Sequence, residues 1–242
     1  MKAGISLSLL LAMSSSASAL GQKATVAPVF NIFELVLKQD KYSAYDSLAE
    51  KNITASVTGE PSTLAMYSAN KTASPSVAYV FEIYADSDAY QQHLKSTSYK
   101  EFLRNSADIL QMSQQRKIDV MPQFLADKQI VQSDKTINNF VIVEVKPEFR
   151  QAFCDVVLPE MAQSIKVEEG VQAMYAAIDK ANPNRWYFYE IYASEEAYQA
   201  HRLTPHFKEY IAQTAEMTTY KEAIAIRPGM LKNKGGLMYE IK

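Results

Sequence analysis

The sequence predicts an α+β chain of two tandem ferredoxin-like modules, each β-α-β-β-α-β, that pair into one intramolecular pseudo-dimeric α/β barrel. Three observations carry this. First, residues 79–101 and 187–209 are one segment written twice, YVFEIYADSDAYQQHLKSTSYKE and YFYEIYASEEAYQAHRLTPHFKE, with 11 of 23 positions identical at a constant offset of 108. The offset runs upstream without a gap, so Met66-Tyr67 falls on Met174-Tyr175, Pro75 on Pro183 and Asn31 on Asn139. Such self-similarity reads as duplication of a whole module. Second, hydrophobic periodicity gives the same order of elements in both copies, the split βαβ pattern. Third, strands such as Trp186-Tyr187-Phe188-Tyr189 are apolar on both sides. Helices cover one face of such a sheet, so a second sheet is the natural cover for the other.

In the first copy (29–121), residues 29–37 read as a strand and 40–56 as a helix, with Tyr42, Tyr45, Leu48 and Ala49 at helical spacing. Glu60-Pro61-Ser62 is a turn signal. Strands at 64–69 and 77–84 flank a loop carrying Pro75, and the second is rich in β-branched and aromatic residues. Asp86 can cap a helix that runs, with a break, to about 112; 115–120 is the fourth strand. In the second copy (138–228), 139–145 is a strand and 148–166 a helix that Pro159 should kink. Gly170 marks the turn, 171–177 and 186–192 are strands, and Ser194 caps the next helix. That helix breaks at Thr204-Pro205, a cap with proline in the first helical position, before a last strand at 221–227. Residues 122–137 read as a linker with a short strand near 128–132. Residues 229–242 read as a tail whose end, 237–242, adds an edge strand.

Composition narrows the function. Net charge is −2 with no basic stripe, which argues against nucleic acid as a partner. Fifteen Tyr and ten Phe suit an apolar cavity with polar handles, although aromatic-rich cores are the commoner reason for them. Lys2, the short apolar run 5–13 and Ala17-Ser18-Ala19 form an export signal, cleaved after Ala19, that leaves no stable membrane anchor. The mature protein is then periplasmic or secreted. The single cysteine, Cys154, allows no intrachain disulfide and reads as a small buried apolar residue. The chain has no G-x-G-x-x-G after a strand and no P-loop, and its three histidines lack metal-binding spacing, so neither cofactor nor metal is expected.

The run Glu190-Ile-Tyr-Ala-Ser-Glu-Glu-Ala-Tyr-Gln-Ala-His201, followed by Thr204-Pro-His206-Phe-Lys, resembles the antibiotic biosynthesis monooxygenase family, in particular its quinol monooxygenase and autoinducer-2 isomerase-like branch. Glu169-Gly170-Val171 and Asn182-Pro183-Asn184-Arg185 resemble that family's turn and loop. The resemblance covers nearly all of 29–121 and 138–228. It implies a cavity between each sheet and its helices, and an intrachain version of the family's usual homodimer; further homo-oligomerisation stays open. Some members oxygenate electron-rich aromatic compounds without metal or flavin, because a deprotonated phenol or quinol can itself give an electron to dioxygen. The protein then needs an apolar pocket, a proton acceptor and hydrogen bonds for the anion. The implied function is an exported, cofactor-independent monooxygenase acting on a quinol-like or polyphenolic small molecule. Isomerisation of a small hydroxylated carbonyl compound, or non-catalytic binding of a small ligand, are the alternatives.

Candidate residues follow from the repeat and from strand alternation. Trp186, Phe188, Glu190 and Tyr192 share one strand face, and Glu82 is the first-copy counterpart of Glu190. A carboxylate there is costly unless paired or protonated, which suits either a cavity base or a structural hydrogen-bond acceptor. His201 and His93 correspond, whereas His206 falls on Ser98; the break at Thr204-Pro205 is expected to keep His201 and His206 from pairing as metal ligands. The resemblance adds Asn139 (with Asn31), since heme-degrading relatives use an Asn near this position. Those relatives carry a Trp where Tyr192 and Tyr84 stand, and an axial His where Ile211 and Leu103 stand. The expected catalytic set is Glu190, His201, His206, Tyr192 and Asn139, with Trp186, Phe188 and Tyr175 around the substrate. Activity is expected in the second copy, the first serving to close the barrel.

Overall fold

A computed structural model describes residues 27–241; the expected export signal lies outside them. The first module comprises β1 (Val29–Val36), α1 (Tyr42–Gly59), β2 (Thr63–Lys71), β3 (Val77–Tyr84), α2 (Ser87–His93), α3 (Thr97–Ser106), β4 (Arg116–Ile118) and β5 (Val120–Asp127). The second comprises β6 (Ile137–Val145), α4 (Arg150–Val167), β7 (Val171–Asp179), β8 (Arg185–Tyr192), α5 (Glu195–Leu203), α6 (Pro205–Thr214), β9 (Thr218–Ile224), β10 (Ile226–Asn233) and β11 (Met238–Glu240). Both are ferredoxin-like with antiparallel sheets. The predicted caps form: the Asp86 carboxylate accepts from the Ala89 N–H at 2.7 Å, and Ser194 Oγ from the Ala197 N–H at 3.3 Å. Thr204 Oγ1 accepts from the Phe207 N–H at 3.3 Å, with Pro205 opening α6. α4 continues as helix through Pro159.

The sheets run β10-β2-β3-β1-β4 and β11-β5-β7-β8-β6-β9. Each module therefore lends a strand to the other. Ile118 pairs with Ile32 in the first sheet, and two residues later Val120 pairs with Asp179 in the second. Ile224 pairs with Phe140 in the second sheet, and Ile226 with Lys71 in the first. This reciprocal lacing ties the two sheets together at two places. It corrects the expected linker, because 120–127 is a strand, while no strand forms at 128–132. It also corrects the expected tail, because 226–233 is a strand that covers the edge of β2. Each lent strand carries a proline at an irregularity in its ladder, Pro122 in β5 and Pro228 in β10. Proline cannot donate to the ladder and is tolerated at bulges, which is why local propensity ended both strands too early.

Strand alternation sorts the side chains into two layers. Phe30, Ile32, Tyr67, Phe81, Phe140, Tyr175 and Tyr189 fill the space between the sheets. Repeat-equivalent residues meet there: Phe81 stacks on Tyr189 with centroids 3.7 Å apart, and the Tyr67 and Tyr175 hydroxyls lie 2.7 Å apart. Such pairwise contact of equivalents is the pattern of an isologous interface. On the outer faces, Tyr45, Ala49, Ile53 and Val57 of α1 pack on the first sheet, and Phe153, Val157, Met161 and Ile165 of α4 on the second. Both quartets recur every four residues, the stripe of a helix lying on a sheet. Cys154, beside that stripe, is half-buried.

Candidate functional site

Each module holds a cleft between its sheet and its helices, and the two clefts differ. The first encloses about 210 Å³ and the second about 90 Å³. Repeat-equivalent substitutions narrow the second: Val80 becomes Phe188, and Ala49 becomes Val157. The volumes run against the expectation that the second copy is the one built to hold a ligand.

The first cleft is walled by Phe33, Leu35, Tyr99 and Phe102. Into it reaches Glu82 from the helix side of β3, 8% exposed and accepting a hydrogen bond from Tyr84 Oη at 2.8 Å. Burial pushes the Glu82 carboxyl above its ordinary range, although His93 and the hydrogen bond from Tyr84 oppose this. Among the residues lining this cleft Glu82 is the single carboxylate. Three more polar atoms of the lining, Tyr45 Oη, Asn52 Oδ1 and Gln115 Oε1, are buried without a hydrogen-bond partner among the described residues. The Gln115 amide is oriented by donation from Nε2 to the carbonyls of Gln111 (2.8 Å) and Val36 (3.3 Å), so its oxygen is a fixed acceptor. Burial raises the Tyr45 hydroxyl far above its ordinary value and keeps it protonated. Each unpaired group costs about 1–3 kcal/mol. The set fits a ligand with an aromatic body and several hydroxyl donors.

In the second cleft, Asn139, Phe188, Glu190 and His201 line the wall, joined by Glu160, Tyr198, Tyr210 and Lys221. Tyr192 donates to Glu190 at 2.9 Å, the counterpart of Tyr84 on Glu82. His201 is 1% exposed, and its Nδ1 lies 3.0 Å from Glu168 Oε1. His206 Nε2 meets the same oxygen at 2.7 Å. Burial raises the Glu168 carboxyl, but hydrogen bonds from His201 and His206 outweigh it and leave it below its ordinary value. The Glu160 carboxyl is pushed up to about 7 by burial, with Glu190 and Glu168 adding to the rise and a hydrogen bond from Ser164 opposing it.

The first module repeats only part of this arrangement. His93 Nδ1 lies 2.9 Å from Glu60 Oε2, and Ser98 donates to Glu60 Oε1 at 3.1 Å. The paired histidines thus clasp the residue that ends each long helix, Glu60 or Glu168. Three expectations are corrected. Tyr175 is not in a cleft: it sits on the inter-sheet face of β7 and donates to Asp127 at 2.7 Å. Trp186 is on the helix side, but it lies packed against Phe153 and Phe188 rather than lining the cleft. The break at Thr204-Pro205 does not separate His201 from His206; it turns α6 so that both reach Glu168. Tyr45, Asn52, Gln115, Glu160 and Glu168 were missed. Asn52 and Glu160 occupy one repeat position, the signal that could have exposed them.

The model of the family described as antibiotic biosynthesis monooxygenase matches this chain twice, over residues 28–105 and 137–213. No curated protein matches the chain. A solved structure of a protein proposed to be a monooxygenase, from Lactobacillus acidophilus NCFM, is similar at 30% identity and a TM-score of 0.83, covering 88% of this chain and 99% of that one. Another so described, from Fusobacterium nucleatum, is similar at 28% identity and a TM-score of 0.84, covering 90% and 99%. An anthrone oxidase-like protein, at 12% identity and a TM-score of 0.51 over 87% and 98%, shares the fold.

Proposed function

The chain belongs to the antibiotic biosynthesis monooxygenase family, and from that premise we propose that it oxygenates a quinol-like or polyphenolic small molecule bound in the first-module cleft. One observation carries the choice of site: the larger, aromatic-walled cleft presents one buried carboxylate and three partnerless polar atoms. In this reading the ring lies among Phe33, Tyr99 and Phe102. Its hydroxyls give hydrogen bonds to Gln115 Oε1 and Asn52 Oδ1, and Tyr45 Oη donates to a substrate oxygen. Glu82 takes a phenolic proton. Its raised proton affinity brings it closer to that of a phenol, which favours a general base. The resulting anion passes an electron to dioxygen, and Tyr45 stabilises the charged oxygen. For a quinol the reaction balances without an external reductant. The ring supplies four electrons, one oxygen atom enters it to give a hydroxyquinone, and the other leaves as water.

The reading includes export, resting on the signal-like residues 2–19. Oxygen consumption by the purified protein with a panel of reduced quinols, beside product mass, tests the reaction. One oxygen consumed per quinol, a product heavier by one oxygen and lighter by two hydrogens, and at least about 100-fold loss in Glu82→Gln support it. Saturable quinol binding with no oxygen uptake overturns oxygenation in favour of a binding protein.

A further inference from the structure

The second module carries a cluster that the proposed reaction does not use. Glu160 on α4, His201 on α5 and His206 on α6 each offer a ligand atom within 4.8 Å of the other two. We propose that these three side chains form a binding site for a zinc-like divalent transition-metal ion, specific to the second module. Two imidazoles and one carboxylate are a set that zinc takes, with a fourth position left for water.

Four features support the assignment. Glu168 Oε1 takes His201 Nδ1 at 3.0 Å, while His201 Nε2 faces Glu160 Oε1 at 3.9 Å. That is the carboxylate–histidine relay that orients a metal-bound imidazole. Three carboxylates, Glu160, Glu168 and Glu190, converge on this region, where Lys221 is the one Lys or Arg lining the cleft. A surface recess of about 250 Å³ between α4 and α6, lined by Glu160 and His206, gives an ion a way in. The repeat supplies an internal control: Asn52 stands for Glu160 and Ser98 for His206, so the first module keeps the Glu60–His93 clasp without the other two ligands. Tetrahedral ligands about 2.1 Å from zinc lie about 3.4 Å apart. The three ligand atoms, now within 4.8 Å of one another, reach that spacing by side-chain movement that draws them together around the ion.

The test uses the full protein stripped with a chelator, then titrated with cobalt(II) and separately with zinc. One equivalent of cobalt with the intense visible absorption of a tetrahedral N/O site, displaced by zinc, is expected. His206→Ser and Glu160→Asn install the first module's own residues, and each is expected to weaken zinc at least about 100-fold in calorimetric titration, while His93→Ala leaves affinity within about 2-fold. Circular dichroism establishes that each variant is folded, and the cobalt spectrum of the unaltered protein stands even if one is not. Absence of stoichiometric binding overturns the proposal, as does binding that both single variants retain. The quinol assay reads the other module, so this result and the oxygenase reading fail separately.

Discussion

Phe81 and Tyr189 are the same position of the repeat, and they stack on each other with ring centroids 3.7 Å apart and planes 13° from parallel. The duplicated sequence thus folds so that its copies meet at equivalent strands, β3 against β8, through two aromatic rings. A homodimer achieves such self-complementarity with identical surfaces. Here two diverged copies achieve it within one chain, so each is free to change its outer cleft while the inner face holds them together.

Phe81→Ala is expected to cost about 3–5 kcal/mol in denaturant unfolding, the range for deleting a buried phenylalanine. The double variant with Tyr189→Ala is expected to lose less than the sum of the singles, since part of each loss is their mutual stacking. Full additivity would mean that the stacking carries no energy of its own.

The lent strands predict that neither copy stands alone. A chain ending at Ala225 lacks β10 and β11, leaving the β2 edge open from Ala65 to Lys71 and the β5 edge from Phe124 to Ala126. It is expected to melt well below the full chain and to aggregate, because an unpaired edge templates association. A monomeric fragment with unchanged melting would contradict the lacing.

Much of the fold was legible because the repeat fixes element order twice and strand alternation groups Trp186, Phe188, Glu190 and Tyr192 on one face, which the structure turns toward the helices. The lacing was not legible, because the hydrogen-bond partners of 120–127 lie in the other module and Pro122 hides the strand's continuity. Nor was the asymmetry of the clefts. Whether Val80 or Phe188 leaves room depends on how α1, α3, α4 and α6 settle on the sheets, which residue type alone does not report. Alternation along 171–179 sends Met174 and Ala176 to the helices and Tyr175 to the opposite sheet, which takes Tyr175 away from any cleft.

Val80→Phe copies the second module's wall into the first. It is expected to keep or raise the melting temperature, as cavity filling commonly does, while raising the quinol KM or Kd at least about 10-fold. Unchanged quinol affinity would remove the ligand from this cleft.

Glu82 sets a pH dependence in two opposite senses. As a base it acts ionised, so kcat/KM is expected to rise with pH through a limb above the ordinary carboxylate value. For stability the sign reverses. The folded-state proton affinity exceeds the unfolded one, so its contribution is fully present below the unfolded pKa of about 4.3 and is lost as pH rises through the folded value. Glu82→Gln is expected to flatten that loss in unfolding curves recorded across the window. A wild-type limb at or below the ordinary carboxylate value would exclude Glu82 as the base.

The central claim is that the first cleft, not the second, holds the reacting ring. The direct measurement is quinol-dependent oxygen uptake by Glu82→Gln and by Glu190→Gln, side by side with the unaltered protein. The account predicts that Glu82→Gln loses uptake by at least about 100-fold and that Glu190→Gln stays within about 3-fold of wild type. Loss in Glu190→Gln with uptake preserved in Glu82→Gln would place the chemistry in the second module and contradict the account.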